Sequence, residues 1–215
     1  MSLAQHPAVD RNPDPPQSKR GEWTWELVTM FPRQGNWTEE QYLAREFDGL
    51  VEYSDGVLEF LPTPTWSHQF MVDFLHSLLK QFVHPRSLGY TAFAPLRVRV
   101  RSGKYREPDV LFVTPSRFRG LNNPSEGADL VMEVVSGSAD DRERDLVEKC
   151  ADYAAAGIPE YWIVDPQSEL ITVLMIDCSE YKIHGEFKPG TLATSVLLPG
   201  FQINVTEAFA AAKVE

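Results

Sequence analysis

Cysteine is scarce: 215 residues carry two, Cys150 and Cys178. They lie far apart and neither belongs to a Cys-x-x-Cys pair, which argues against a disulfide framework and against a thiolate zinc centre. No apolar run approaches the ~20 residues of a membrane-spanning helix. The N-terminus, MSLAQHPAVDRNPDPPQSKRG, lacks the apolar core of a signal peptide, so a cytoplasmic protein is expected. Positive charge is also short. Twenty Lys and Arg face 31 Asp and Glu, a net charge of −11. That balance counts against non-specific binding to long nucleic acid, which needs a basic surface. It leaves room for a local basic groove, because Arg97, Arg99, Arg101, Lys104 and Arg106 fall close together. The same cluster reads equally well as a solvated edge strand guarded by charge.

What is present suits one folded domain over 21–215 behind a polar, proline-rich tail over 1–20, expected to be disordered. Trp23, Trp25 and Trp37 are expected to pack on the domain as irregular or strand-like structure. Thr38-Glu39-Glu40-Gln41 is a capping-box pattern that opens a short helix to about Glu46. LVEYSDGVLEFL reads as a hairpin turning at Ser54-Asp55-Gly56, ended by Pro62 and Pro64. Phe70, Phe74, Leu78 and Leu79 recur at helical spacing and predict a helix over 67–83. Strands are expected over 89–93, 96–100 and 109–113, then a loop over 115–127 and a strand over 130–135. A helix over 140–156 closes at Gly157 and Pro159. A strand follows over 160–164, then a meander over 170–176, 181–187 and 194–198, and a last helix over 206–212. This order predicts an α/β or α+β fold: a mixed central sheet flanked by helices, with an extra C-terminal β-meander.

Glu133 stands inside LVMEVVS, which is otherwise apolar up to its last residue. A strand of that composition is buried on both faces, and an ionised carboxylate there needs a cation or hydrogen-bond donors. Asp109 heads a similar run, PDVLFV. Alternation puts Asp109 on one face with Leu111 and Val113, and Glu133 on one face with Val131 and Val135. If the two strands pair, the two acids point to the same side. Two such carboxylates repel unless a divalent cation sits between them, and Mg²⁺ (or Mn²⁺) is the usual occupant of an all-oxygen site. On the following helix, Leu146, Cys150, Tyr153 and Ala154 form a core-facing stripe. Lys149 falls within it, with Asp145 four residues earlier and Glu133 one strand earlier as acidic neighbours. Each signal has a plain structural alternative: a buried ion pair for Glu133, a turn for Pro108-Asp109, an ordinary helix pair for Lys149 with Asp145.

The segments VEYSDGVLEFLPTPTWSHQ, EPDVLFV, DLVMEVVS and RDLVEKCADYAAAGIPEYWIVDP resemble the Uma2 family of restriction-type endonucleases, within the PD-(D/E)XK nuclease superfamily. The likeness spans roughly 38–185, and IPEYWIVDP is its most specific stretch. It implies a restriction endonuclease-like core and metal-dependent hydrolysis of DNA, with Asp109 and Glu133 as metal ligands and catalytic acids. One departure stands out: Val135 occupies the place where the superfamily sets its lysine. The resemblance implies that Lys149 takes over that role. It also implies supporting parts for Glu52, as a further metal ligand, and for His68 at the start of the long helix. Ser136 and Asp145 complete the supporting set, Ser136 as a ligand contact and Asp145 by orienting Lys149. A catalytically inactive binding or regulatory module on the same fold is the alternative, favoured by the acidic surface. Homodimerisation is expected if both strands of a duplex are cut.

Overall fold

The computed structural model describes residues 18–22, 24, 28, 30–136, 142 and 144–213, with Asp145 by its backbone alone. Most of the anticipated tail, together with Trp23, Trp25 and the start of the helix expected from Asp140, lies outside the described residues.

The first complete element among the described residues is helix α1 (Glu39–Leu43). Its capping box forms as the pattern predicts: the Thr38 hydroxyl accepts from the Gln41 N–H, and the Gln41 side chain accepts from the Thr38 N–H. The helix stops three residues short of Glu46. Strands β1 (Val51–Ser54) and β2 (Val57–Phe60) make the hairpin. Asp55 and Gly56 both take positive φ, +46° and +90°, as a tight two-residue turn demands. A Cβ on Gly56 would meet the Gly35 carbonyl oxygen at 2.5 Å, so the turn and the loop beneath it require glycine.

Helix α2 (Trp66–Val83) follows, capped by the Thr65 hydroxyl on the His68 N–H. Then come β3 (Tyr90–Phe93), β4 (Val98–Arg101), β5 (Lys104–Arg106), β6 (Val110–Val113), the two-residue β7 (Ser125–Glu126) and β8 (Leu130–Val134). Neither β5 nor β7 is legible in the sequence, because three and two residues carry no usable periodicity. Strand β4 is not an edge. It lies inside a five-stranded sheet of order β2-β1-β5-β4-β7.

After β8 the chain returns through a π-helical turn (Arg144–Glu148) into α3 (Lys149–Ala155). Helix α3 ends as a Schellman motif: the Ile158 N–H donates to the Tyr153 carbonyl and the Gly157 N–H to the Ala154 carbonyl, with Gly157 at φ +68°. Strand β9 (Glu160–Asp165) then pairs parallel with β8, as a helical crossover requires. Strands β10 (Leu170–Asp177) and β11 (Glu180–Phe187) continue antiparallel, giving a six-stranded mixed sheet of order β11-β10-β9-β8-β6-β3. The third arm of the expected meander is different. Strand β12 (Leu192–Thr194) leaves the main sheet and pairs with β13 (Gln202–Asn204), and α4 (Val205–Ala211) closes the chain.

Alternation on the central strands sorts the core into two. Val110, Phe112, Leu130, Met132 and Val134 face α2 and α4, while Leu111, Val113, Val131 and Val135 face Tyr153 of α3 and β4. A third cluster, around Trp37, Tyr42, Tyr53 and Tyr105, packs α1 against the smaller sheet. Between β5 in one sheet and β6 in the other lie only Glu107, Pro108 and Asp109. The chain therefore changes sheets at Glu-Pro-Asp, and this crossing sets the position of the site.

Glu160, fully buried, ties β9 to the C-terminal segment. Its carboxylate accepts from Trp162 Nε1 (2.7 Å), Ser195 Oγ (2.7 Å) and the backbone N–H groups of Val196 and Leu197 (2.8 Å each). Glu160→Ala leaves these donors without an acceptor and is expected to cost about 3 kcal/mol or more. Glu160→Gln, which keeps one acceptor oxygen, loses less. Urea unfolding of both variants checks this, and equal losses would contradict it.

Candidate active site

The β6–β8 register pairs Val110 with Met132 and Leu111 with Val131. Continued by one residue, it sets Asp109 opposite Glu133. Both then project from the same face, where directly opposed side chains are ~5 Å apart at Cβ. On the β3 side the Asp109 carbonyl accepts the Ala94 N–H at 3.2 Å, but toward β8 the side chain takes over. Its Oδ2 accepts from the Val134 N–H at 2.7 Å, so the side chain serves as the acceptor where the strand gives way to proline.

Glu133 is 2 % exposed, and both of its oxygens are taken. Lys149 Nζ donates to Oε2 at 2.8 Å, and the Tyr153 hydroxyl donates to Oε1 at 2.5 Å. Residues four apart lie on one helix face, so a single face of α3 supplies both donors. The sequence stripe was wrong in one member. Leu146 is 37 % exposed, while Lys149 is 3 % exposed. The π-helical turn inserts extra backbone between the two, and the phase carried back from Tyr153 no longer reaches Leu146.

His68, in the first turn of α2, sets its Nε2 3.3 Å from Asp109 Oδ2. Burial works against a charged imidazole, but the hydrogen bond and charge of Asp109, with the charge of Glu133, raise His68 above its ordinary value. Burial likewise would lift the Asp109 carboxyl. The hydrogen bond and charge of His68, the charge of Lys149 and the Val134 N–H outweigh it and hold Asp109 below the usual range.

Asp109, Glu133, Lys149 and His68 line one cavity of about 530 Å³, which Thr65, Ser67, Glu107, Ser136, Arg142 and Arg144 also line. The structure thus gathers Asp109, Glu133, Lys149, His68 and Ser136. Glu52 is not brought to the cavity wall. It is fully buried against Arg106, and its Oε1 accepts the Glu107 N–H at 3.0 Å. Burial opposes its charge, but Lys149 and Arg106 keep the carboxyl below the usual range. The side chain of Asp145 lies outside the described residues.

Three residues of the site went unread in the sequence. The core-facing stripe predicts Tyr153 as a core aromatic, and its spacing from Lys149 is the signal that it also reaches Glu133. Glu107 sits beside Asp109 in the wall, and its Oε2 accepts the Val51 N–H at 3.0 Å. Arg142 forks onto Asp165 at 2.9 and 2.7 Å, which no local pattern announces.

The basic cluster offers no open groove. Arg97 faces Glu107, Arg99 faces Glu39 and Glu126, Arg101 faces Asp55, Lys104 faces Asp152, and Arg106 is shared by Glu52, Glu59 and Asp152.

With this geometry in place, comparison with known proteins decides the family. The profile of Uma2, described as "putative restriction endonuclease", matches residues 37–206. The chain belongs to the Uma2 family. As a Uma2 protein it is also similar to a solved structure from Anabaena variabilis ATCC 29413, titled a putative nuclease belonging to DUF820. The TM-score is 0.67 at 18 % identity, over 82 % of this chain and 99 % of that one. A likeness at that identity is one of fold, and it bears out the mixed α+β architecture with helices on both faces of the sheet. No curated protein matches the chain. Among the described residues of this Uma2 protein, no helix is long and apolar enough to cross a membrane.

Burial, reinforced by the charge of Glu52, outweighs the Val51 N–H and Arg97 and pushes the Glu107 carboxyl up to about 7 from 4.5. Between those values the folded protein holds a proton that the unfolded chain releases, so stability falls as pH rises. Glu107→Gln cannot titrate. In chelator, its melting temperature relative to the parent chain should climb from pH 4.5 to 7 and level off above, a gain on the order of 2 kcal/mol. A constant difference across that window would show that Glu107 ionises normally.

Proposed function

We propose that this protein is a metal-dependent endonuclease that hydrolyses DNA phosphodiester bonds. The observation that carries the reading is the convergence of Asp109 and Glu133 from adjacent strands on one cavity, with Lys149 2.8 Å from Glu133. Among the described residues no three His, Cys, Asp or Glu gather as a ligand set, so a protein-caged zinc does not fit. Two carboxylates do fit magnesium or manganese. Magnesium binds through one or two carboxylates and completes its octahedron with water and phosphate oxygens. Asp109 and Glu133 would hold the ion, which when bound polarises a phosphoryl oxygen and acidifies a water.

The chain's own residues do the rest. Lys149 presents an ammonium at the acid pair and is placed to orient the attacking water and to offset charge building on the phosphate. Thr65, Ser67 and His68 at the start of α2 line the cavity and bring the positive dipole end of the helix to it, a favourable setting for a phosphate. His68 is positioned to hold a proton on Nε2 against Asp109 or to pass it to the substrate. The reading places the protein in the cytoplasm with its DNA. It calls for a homodimer only if both strands of a duplex are cut.

One observation favours a catalytically inactive binding module instead: the clustered cations are spent on internal ion pairs, leaving an acidic surface. The same experiment separates the two. Thermal shift and calorimetry with Mg²⁺ and Mn²⁺ are expected to show cation binding in the parent chain, lost in Asp109→Asn and Glu133→Gln. Lys149→Ala should keep the cation while turnover of plasmid or single-stranded DNA drops about 100-fold or more. Identical cation responses in all four proteins would remove the nuclease reading.

A further inference from the structure

A second hollow, about 490 Å³, adjoins the first. It shares His68, Asp109 and the wall of Leu61–Pro64 with the first cavity, but neither Glu133, Ser136 nor Lys149 lines it. Its character is different. Phe47, Phe60, Val72 and Pro95 give it apolar, partly aromatic walls, and Asp48 and Gln69 add polar groups. Phe60 is 67 % exposed, and its ring meets Phe47 edge-on with centroids 6.2 Å apart. A lone exposed aromatic needs no explanation. Here two rings, Phe60 and Phe47, line the same hollow.

The clustered cations are already paired with acids of the same chain, so a DNA strand finds little phosphate-tracking surface there. Contacts to the bases can supply the affinity that these paired cations do not. Aromatic rings supply it without regard to sequence, since every base has a π-face. The volume lies within the range of small-ligand sites, which runs from about 300 to 1,000 Å³. Because the two hollows share His68 and Asp109, a nucleotide whose phosphate sits in the first would set its base in the second, which Phe60 lines.

We propose that the second hollow is a nucleobase pocket, and that the substrate is DNA whose nucleotide beside the scissile phosphate is unpaired: a single strand or an extruded base. This rests on the nuclease reading of the adjoining cavity. Intact duplex is a poor substrate, because its base must first be unstacked and unpaired, whereas a single strand has no pairing to lose.

Two measurements test it, the first without metal. A short fluorescein-labelled single strand and its matched duplex are titrated in chelator against the parent chain, Phe60→Ala and Phe60→Trp. The strand should bind about tenfold tighter than the duplex, Phe60→Ala should lose about tenfold for the strand alone, and Phe60→Trp should retain affinity. Phe60 is exposed, so its truncation leaves the cores intact. The second measurement is cleavage with Mn²⁺ of the single strand, the duplex and the duplex with one bulged nucleotide. The strand and the bulged duplex should be cut, the latter beside the bulge, and the matched duplex at least about tenfold more slowly. Equal affinity for strand and duplex, or a strand affinity indifferent to Phe60→Ala, overturns the pocket even if cleavage is seen. So does a change in self-association of Phe60→Ala with strand affinity unchanged, which would mean that a second copy fills the hollow. Strand binding with the expected Phe60 dependence but no cleavage of any substrate supports the pocket and removes hydrolysis.

Discussion

A carboxylate almost wholly withdrawn from water must be given its hydrogen bonds by the protein, and Glu133 receives them from a single helix. Lys149 takes one oxygen and Tyr153 the other. The geometry works because several separate features agree. The β8–α3–β9 crossover lays the helix over the face from which Glu133 projects. The π-helical turn sets the phase that turns Lys149 inward. The Schellman closure at Gly157 stops the helix where β9 can start in parallel register. Breaking a buried pair on one side costs ~3–5 kcal/mol, since the other charge is left in a medium that cannot solvate it. The same arrangement keeps a charged carboxylate and a cation at the floor of a cavity.

The Glu-Pro-Asp step plays a complementary part. It carries the chain from one sheet to the other, and proline prevents the strand from continuing its ladder across the junction. Asp109 covers the gap with its side chain, by accepting the Val134 N–H, and meets His68 from α2. Just before it, Arg106 turns into the smaller sheet and is held by Glu52 and Asp152. The crossing therefore separates two electrostatic roles. One side is a closed network that knits β1, β5 and α3 together, and the other is an open set of groups facing a cavity.

Much of this was legible in the order of residues, for reasons that differ by element. The capping box at Thr38, the Asp55-Gly56 turn and the Gly157 stop are local chemistry, complete within a few residues. The shared face of Asp109 and Glu133 followed from period-2 alternation once the two strands were taken as neighbours. Glu52, which the family resemblance implies as a metal ligand, is instead held off the cavity wall. Its partner Arg106, 54 residues away, could not be read from either segment. The basic cluster between Arg97 and Arg106 was misleading for the same reason. Seen in sequence it is a patch of charge; in three dimensions Arg99, Arg101, Lys104 and Arg106 face acids from distant segments, and Arg97 faces Glu107.

What the sequence determined alone, then, was most of the elements and the charged residues that could not be buried unpaired, because periodicity and burial cost act over short stretches of chain. Family membership belongs to the same level, since it rests on motifs such as IPEYWIVDP. Tertiary structure decided which charge meets which, that Tyr153 is a donor as well as a core ring, and that Leu146 faces outward. It also decided that two hollows share one wall at His68 and Asp109. Those outcomes depend on strand register, on helix phase after a π turn and on the approach of segments far apart in the chain, none of which a linear pattern encodes.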